Sequence, residues 1–359
     1  VGGWNKLSDD QQKLAYCLTQ AGLSGRDIMY DQNNRYNLRV RHMLDEAHRN
    51  FSGDRSTTGW QRFHTFAKRV WFSNGIHHHY SNAKIVPECG RPYFEYVLEN
   101  SGLGADEGHA EVLDMLYDPS REAKKVELDA TKGLVESSAI NVYAPDVRTE
   151  EAQAFFANYA VDRNKPVEKG LNSRLVKDAE GNVIEEVYKV GGLYGEALQK
   201  VCYWLEEAQK YAENDKQGAA LRHLVDYYRT GDLEKWSLYN INWVGDTEGD
   251  IDYINGFVEV YNDPLGFTGS YETVVQIKDF EASERMAVMM DNAQWFEDHM
   301  PFMDEHKKEK VVGITYNVVN VVGEAGDASP STPIGVNLPN ANWIRAMHGS
   351  KSVSLGNII

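Results

Sequence analysis

Apolar residues recur at helical spacing over long stretches of the chain. Leu14, Leu18 and Ala21 lie three or four residues apart, and Ser8 before them suits the N-cap of a helix. The same periodicity continues at many later positions, where polar residues fill the opposite face. Helices are predicted over residues 8–50, 60–72, 104–117, 149–160, 195–214, 218–229 and 280–309.

A second set of segments has the β-branched composition and the short length of strands. Residues 173–190 contain two such runs around Glu180-Gly181-Asn182, which is the pattern of a β-hairpin. Each segment is too short to be stable alone, so we expect them to share one small mixed sheet or barrel surrounded by helices. The fold class is therefore predicted to be α+β. The other predicted strands are residues 253–261, 271–278, 311–322 and 333–338.

Length and charge exclude several classes of protein. The 359 residues suggest about two domains, and no apolar run approaches the ~20 residues of a membrane span. Lysines and arginines number 37 against 54 aspartates and glutamates, a formal charge of −17. Such a surface repels phosphate backbones, so we expect no nucleic acid partner. No leader with a basic and then an apolar part opens the sequence, and we expect a cytoplasmic protein unless a signal peptide was removed.

The histidines do not form a recognisable metal site. His77, His78 and His79 are adjacent, and adjacent side chains point in different directions in a helix or a strand. His299 and His306 are two helical turns apart, which is too far for one ion. The zinc-helix motif His-Glu-x-x-His, the phosphate loop and the Gly-x-Ser-x-Gly motif do not occur in the sequence. A loop cluster is the favoured interpretation of the three adjacent histidines, and an independent metal enzyme is the weaker alternative.

Glu259 and Tyr261 are the first candidate site residues. In an extended segment, residues i and i+2 project on the same side, so this carboxylate and this phenol would lie together. A carboxylate suits a cationic amine, and a phenol can donate to a developing oxyanion. The alternative is that the segment is only the end of a strand, followed by a turn over residues 263–266.

The second candidate segment follows a loop rich in Gly, Ser and Pro. It runs from Gly335 to Asn340, and its two amides, Asn337 and Asn340, flank a proline that stiffens the backbone. Asparagine side chains offer both donors and acceptors of hydrogen bonds. The alternative is that these residues only form a turn, since Asn and Pro are both common in turns.

Three segments, in this order, resemble the dipeptidyl peptidase III family of zinc exopeptidases. They are GFVEVYNDPLG at residues 256–266, GVNLPNANWIR at 335–345 and KSVSLGNII at 351–359. Residues 73–80 are similar to the bacterial members of that family. The resemblance is strong over about residues 195–359 and weaker before them.

The resemblance implies two lobes around a wide cleft. Residues 1–279 would form the lower lobe, 280–320 a helical excursion into the upper lobe, and 321–359 a return to the small barrel of the lower lobe. The family's zinc helix, His-Glu-x-x-Gly-His, follows the segment that KSVSLGNII resembles, and the third zinc ligand lies further on. The expected chain is therefore an N-terminal fragment without metal ligands, and zinc would be bound by a missing C-terminal lobe.

The resemblance also implies roles for individual residues. Tyr261 would stabilise the oxyanion, and Glu259 would bind the free ammonium of the peptide. Asn337 and Asn340 would hold the same end of the substrate, and the backbone near Gly335 would pair with it as an added strand. Two weaker substrate contacts are also implied, Glu272 and Arg345.

These implications define the expected function. The complete enzyme would remove dipeptides from the N-terminus of oligopeptides, with zinc as its cofactor. This chain would supply substrate binding and oxyanion stabilisation and would be inactive alone. The alternative is a peptide-binding or structural module without any catalysis.

Overall fold

The structure is a computed structural model that describes residues 1–104, 107–159, 166–311 and 314–358. Parts of three predicted elements, together with the last residue of the KSVSLGNII segment, lie outside the described residues: residues 105, 106, 160, 312, 313 and 359. The described α-helices are α1 (Asp9–Asn33), α2 (Asn37–Asn50), α3 (Thr58–Phe72), α4 (Arg91–Glu99), α5 (Glu107–Tyr117), α6 (Thr149–Ala157), α7 (Gly195–Gln209), α8 (Asp215–Thr230), α9 (Leu233–Gly245), α10 (Phe280–Asp291), α11 (Ala293–Asp298) and α12 (Asn342–His348).

The strands form two separate sheets. A five-stranded sheet has the order β3-β4-β5-β7-β6, in which β5 and β7 run parallel and the other neighbours are antiparallel. The α+β class and the mixed sheet agree with the sequence prediction. The strands are β1 (Ser173–Lys177), β2 (Val183–Val187), β3 (Ile251–Phe257), β4 (Tyr271–Lys278), β5 (Ile314–Gly326), β6 (Gly335–Leu338) and β7 (Ser350–Leu355).

The large sheet does not close into a barrel within the described chain, so that part of the prediction is wrong. Strands β3 and β6 are its two edges and do not pair with each other. The segment after β6 does reach back toward β3, because Pro339 and Ile254 line one pocket. Trp236 of α9 lines the same pocket, so side chains rather than a hydrogen-bond ladder fill the space between the edges.

The predicted hairpin over residues 173–190 forms, but it does not join the large sheet as predicted. Strands β1 and β2 pair only with each other among the described strands. The free edge of β1 is occupied by an irregular segment, since Leu175 N–H donates to Val142 at 3.1 Å and Ala144 N–H donates to Leu175 at 2.8 Å. Leu175 is buried in a small separate core beside Phe156. Backbone groups of this hairpin therefore find hydrogen-bond partners nearby and do not need the main sheet.

Helix α1 packs against α7 and against one face of the sheet. Ser8 caps it as predicted: the N–H of Gln11 donates to Ser8 Oγ at 3.3 Å, and the N–H of Ser8 donates to Gln11 Oε1 at 2.8 Å. Leu14 and Leu18 join Leu198 of α7 in the main core. The periodic apolar stripes of these two helices are thus buried against each other.

Helices α2 to α5 enclose a second core, which includes Phe63 and Phe94. The loop after α3 carries the three adjacent histidines. Asn74, at the start of this loop, donates to the backbone carbonyls of Gly326 and Ser329 at 3.0 and 2.6 Å. The N-terminal helices are therefore fastened to the loop at the end of β5.

Helices α10 and α11 contain no buried residue. In the sequence-based division of the chain, the first boundary falls at Asp279, which is the N-cap of α10, and the second falls inside β5. None of the helices described is both long and apolar enough to cross a membrane. Large apolar side chains are exposed on α10, on α11 and just after α11: Val288, Met289, Trp295, Phe296, Phe302 and Met303.

Candidate functional site

The end of β3 and the start of β4 hold the first candidate residues. Beyond the last strand residue, the N–H of Val258 donates to Ser270 at 3.0 Å, and the N–H of Ser270 donates to Glu259 at 2.8 Å. Glu259 therefore still lies in an extended, paired segment. The side chain of Asn340, which follows β6, interacts with the Glu259 carboxylate. The structure thus brings one residue of each candidate segment together.

The predicted turn after this segment also exists. The N–H of Gly266 donates to the carbonyl of Asp263 at 3.0 Å, and the Asp263 carboxylate accepts three further backbone N–H groups. The phenol of Tyr143 donates to the same carboxylate at 2.7 Å. The strand-end interpretation and the site interpretation therefore describe the same segment, because the turn fixes the backbone that carries Tyr261.

Tyr261 is paired with an acidic residue that the sequence analysis missed. Its phenol donates a hydrogen bond to the carboxylate of Asp327, in the loop after β5. The side-chain amide of Asn262 donates to the other Asp327 oxygen at 3.3 Å and to Ser270 at 3.0 Å. The side chain of Tyr261 nevertheless remains 65% exposed, so it stays accessible from solvent.

Glu272 of β4 completes a group of carboxylates around Tyr261. It is only 7% exposed, and burial raises its pKa well above the usual range, with Asp327 and Glu259 adding to the effect. Burial and then the charge of Asp327 also raise the pKa of Glu259, whereas Asn340 lowers it. The site therefore groups carboxyl groups that resist ionisation on their own, and a bound cation would favour their charged form.

The same surroundings fix the protonation state of the phenol. Although much of the residue is exposed, partial removal of water by the surrounding protein raises the pKa of Tyr261 first, and Asp327, Glu272 and Glu259 raise it further. Tyr261 therefore stays protonated at neutral pH. It can donate a hydrogen bond to an oxygen that gains negative charge, but it cannot act as a base.

Other candidate residues lie close by without joining the cluster. Gly335 and Asn337 are in β6, opposite Ser354 and Ser352 of β7. Both are exposed on an edge strand, and Arg345 is exposed on α12. Within the described residues, none of these side chains makes a hydrogen bond or ion pair with the carboxylates. The structure thus brings Tyr261, Glu259, Glu272 and Asn340 together and leaves the remaining three candidates at the rim.

The sequence analysis also missed Glu168. Burial raises the pKa of Glu168, and a side-chain hydrogen bond with Trp236 lowers it. The charge of Glu259 raises the pKa of Glu168 further. Glu168 and Trp236 line a small pocket next to the Glu259 segment, together with Val258 and Asn340. No motif connects positions so far apart in sequence. For Asp327, the only indication was a glycine followed by an acid at the end of a strand-like run.

The histidine-rich loop is not arranged to bind a metal ion. His77 is 2% exposed, and its Nε2 lies 2.7 Å from the carbonyl oxygen of Glu122. The neighbouring rings of His78 and His79 stack at 4.6 Å between centroids. Throughout the described ranges, no group of three or more His, Cys, Asp or Glu side chains could hold a metal ion.

Comparisons with known proteins point to one family. The family model for peptidase family M49 matches residues 97–359. Human dipeptidyl peptidase 3 is 30% identical over 168 residues, which are 47% of this chain and 22% of the human protein. The dipeptidyl peptidase 3 of Dictyostelium discoideum is 23% identical over 318 residues, 82% of this chain and 44% of that protein.

Solved structures give the same result for the fold. The structure of DPP III from Caldithrix abyssi has a TM-score of 0.70 at 20% identity and covers 99% of this chain. That of dipeptidyl-peptidase III from Corallococcus sp. strain EGB has a TM-score of 0.68 at 17% identity and covers 100%. This chain spans 56% of either protein and less than half of the two curated relatives.

Proposed function

Because this chain belongs to peptidase family M49, we propose that it supplies the substrate-binding half of a dipeptidyl peptidase that acts on oligopeptides. One observation carries the proposal: Glu259, Glu272 and Asp327 surround the phenol of Tyr261, and Asn340 faces Glu259. A cluster of carboxylates attracts the free ammonium of a peptide. The neighbouring phenol is a donor for the oxygen of a nearby peptide carbonyl.

Glu259 is the proposed anchor of the ammonium. It is half-buried, so its charge is less screened by water than that of a surface carboxylate. Asn340 supplies the neutral polar contact on the same side. A peptide that carries an N-terminal acetyl group has no cation to offer. The site would therefore prefer free N-termini, as an exopeptidase requires.

Strand β6 is the proposed docking edge for the peptide backbone. It pairs with β7 on one side, and no other described strand pairs with its second side. A peptide added there as a strand would be recognised through its main chain, which gives broad side-chain specificity. Gly335 and Asn337 are exposed on this strand and would contact such a peptide.

The metal that this family implies does not fit the side chains that the structure describes. The described residues contain no group that could ligate it. We therefore propose that zinc ligands come from a C-terminal lobe outside this chain, and we assign no reaction step to the metal. The exposed apolar side chains of α10 and α11, such as Trp295 and Phe296, support a covering lobe, since large exposed apolar patches mark contact surfaces.

Calorimetric titration with tetra-alanine and N-acetyl-tetra-alanine tests the binding proposal. The free peptide should bind about tenfold to 150-fold more tightly, because a hydrogen bond to a charged group contributes about 1.5–3 kcal/mol. Glu259→Gln should abolish most of this preference. Glu281→Gln, which removes an exposed charge on α10, is the matched control and should keep it. Equal affinities for both peptides in the unaltered chain would refute the proposal.

A peptide-binding module without catalysis is the second candidate, because the described residues hold carboxylates and donors but no metal group. It predicts the same titration result, so binding does not separate the two. Hydrolysis of a dipeptidyl arylamide does: the complete protein should release the arylamine under the first proposal and not under the second. The chain alone should be inactive under both.

A further inference from the structure

The hydrogen bond between Tyr261 and Asp327 limits what the phenol can do. A phenol has a single O–H donor. In this structure the donor is directed at the Asp327 carboxylate. The same O–H cannot at the same time be fully donated to a substrate oxygen. The observed arrangement is therefore a resting position, and the phenol must leave Asp327 before it can serve a carbonyl group.

Asp327 is held in place from several directions. Its backbone N–H donates to the carbonyl of Tyr271 at 2.8 Å, and one carboxylate oxygen accepts from Asn262. The carbonyls on either side of it, those of Gly326 and Ser329, accept from the side chain of Asn74. Such a network fixes the carboxylate relative to the sheet. The pairing with Tyr261 is therefore a built feature of the loop.

The environment of Asp327 favours an incoming cation. Glu259 and Glu272 lie close enough for their charges to act on its surroundings. The charge of Lys125 interacts with Asp327, but Lys125 is 3% exposed and forms no ion pair within the described residues. A small cation that entered beside Glu259 would meet the Asp327 carboxylate as well.

We propose that Asp327 is a positioning residue that couples recognition of the peptide ammonium to the release of Tyr261. This inference rests on the proposed function of Glu259 as the ammonium anchor. Without a ligand, Asp327 holds the phenol. When the ammonium binds between Glu259 and Asp327, it takes over the carboxylate oxygen, and the O–H of Tyr261 turns to the carbonyl oxygen of the peptide. No covalent bond changes in this exchange.

The coupling has a consequence for blocked peptides. A peptide with an acetylated N-terminus still carries the carbonyl groups, but it brings no cation to compete for Asp327. Even when such a peptide is bound, Tyr261 should therefore remain paired with Asp327. A free N-terminus would be required for the positioning of the phenol as well as for affinity.

Carbon NMR on the 359-residue chain tests this directly. The chain is labelled at Cζ of tyrosine, and the resonance of Tyr261 is identified by its loss in Tyr261→Phe. Tetra-alanine should shift this resonance, whereas N-acetyl-tetra-alanine at equal occupancy, set from calorimetry, should leave it in place. Asp327→Asn keeps the shape of the side chain but removes its charge. In this variant the Tyr261 resonance should already differ from that of the unaltered chain before any peptide is added. The two peptides should then change its position equally.

The outcomes separate the inference from the function on which it rests. If tetra-alanine binds in a Glu259-dependent manner but leaves the Tyr261 resonance unmoved, or if both peptides move it equally, the coupling is wrong and the binding site stands. If neither peptide is preferred, both are wrong. Asp291→Asn, which removes an exposed charge on α10, should behave like the unaltered chain. If Asp327→Asn fails to fold, the comparison of the two peptides in the unaltered chain still decides.

Discussion

The side-chain amide of Asn74 donates to the backbone carbonyl of Gly326 at 3.0 Å. This contact joins the loop after α3 to the loop after β5, although the two residues are 252 positions apart. Residue 326 has a φ of +71°, and it turns the chain so that Asp327 faces Tyr261. The geometry of the proposed site therefore depends on a backbone conformation that favours glycine.

Gly326→Ala should destabilise the protein strongly. A Cβ at this position would lie 2.0 Å from the carbonyl oxygen of Tyr271, and the left-handed backbone adds its own penalty. We expect a loss of roughly 3 kcal/mol in the free energy of unfolding, which combines conformational strain and a backbone clash. Urea unfolding followed by circular dichroism measures it.

Gly181→Ala is the matched control for that substitution. Gly181 has a similar φ of +86°, but no atom lies within 4 Å of the place where its Cβ would be. Only the conformational penalty of about 1–2 kcal/mol applies there. If both substitutions lowered the stability equally, the contact with Tyr271 would contribute nothing.

Tyr261→Phe in the complete peptidase should lower kcat while KM changes little. The substitution keeps the ring and removes the O–H that we propose donates to the charge that develops in the transition state. Loss of such a donor typically costs about 10²–10³ in kcat. Steady-state kinetics on a dipeptidyl arylamide measures both constants. A higher KM at an unchanged kcat would instead place Tyr261 in ground-state binding.

The affinity for free peptides should fall as the pH falls. Burial and Asp327 raise the pKa of Glu259, and burial raises that of Glu272. These carboxylates therefore take up protons at a higher pH than exposed ones, and a neutral carboxyl group does not attract an ammonium. The peptide ammonium itself stays charged below its pKa of about 8. Titrations between pH 7 and pH 4.5 should show the preference for tetra-alanine over its acetylated form shrinking, and a constant preference would contradict this.

The parts of the fold that follow local periodicity could be predicted from sequence. The stripe from Leu14 to Ala21 is buried as expected, and Glu259 and Tyr261 lie in one cluster as the i, i+2 spacing predicted, although Tyr261 itself lies in a turn. The separation of the hairpin from the large sheet was missed, because the segment around Val142 that pairs with β1 has no strand pattern. Asp327 was missed since its role depends on a loop that only tertiary contacts hold in place.

Acidification should destabilise the protein in part through His77. Burial lowers the pKa of His77 from 6.5 to about 4, Lys125 and Lys84 lower it further, and the contact with Glu122 counteracts this. In the unfolded chain the ring binds a proton near pH 6.5, but the folded protein resists protonation until about pH 4. The unfolded state therefore holds more protons between these values, so the contribution of His77 is complete above pH 6.5 and is lost as the pH falls.

The expected contribution of His77 to the free energy of unfolding follows from the shift in its pKa. A difference of between two and three pKa units corresponds to about 3 kcal/mol. His77→Gln keeps a donor that can reach the Glu122 carbonyl but cannot take up a proton. The stability difference between the unaltered protein and this variant should therefore shrink by about 2–3 kcal/mol from pH 7 to pH 4.5 in urea unfolding. Contributions of buried carboxylates such as Glu272 are common to both proteins and cancel. His42→Gln, on the exposed side of α2, should show no such change. A difference that stayed constant with pH would mean that His77 binds its proton equally in the folded and unfolded protein.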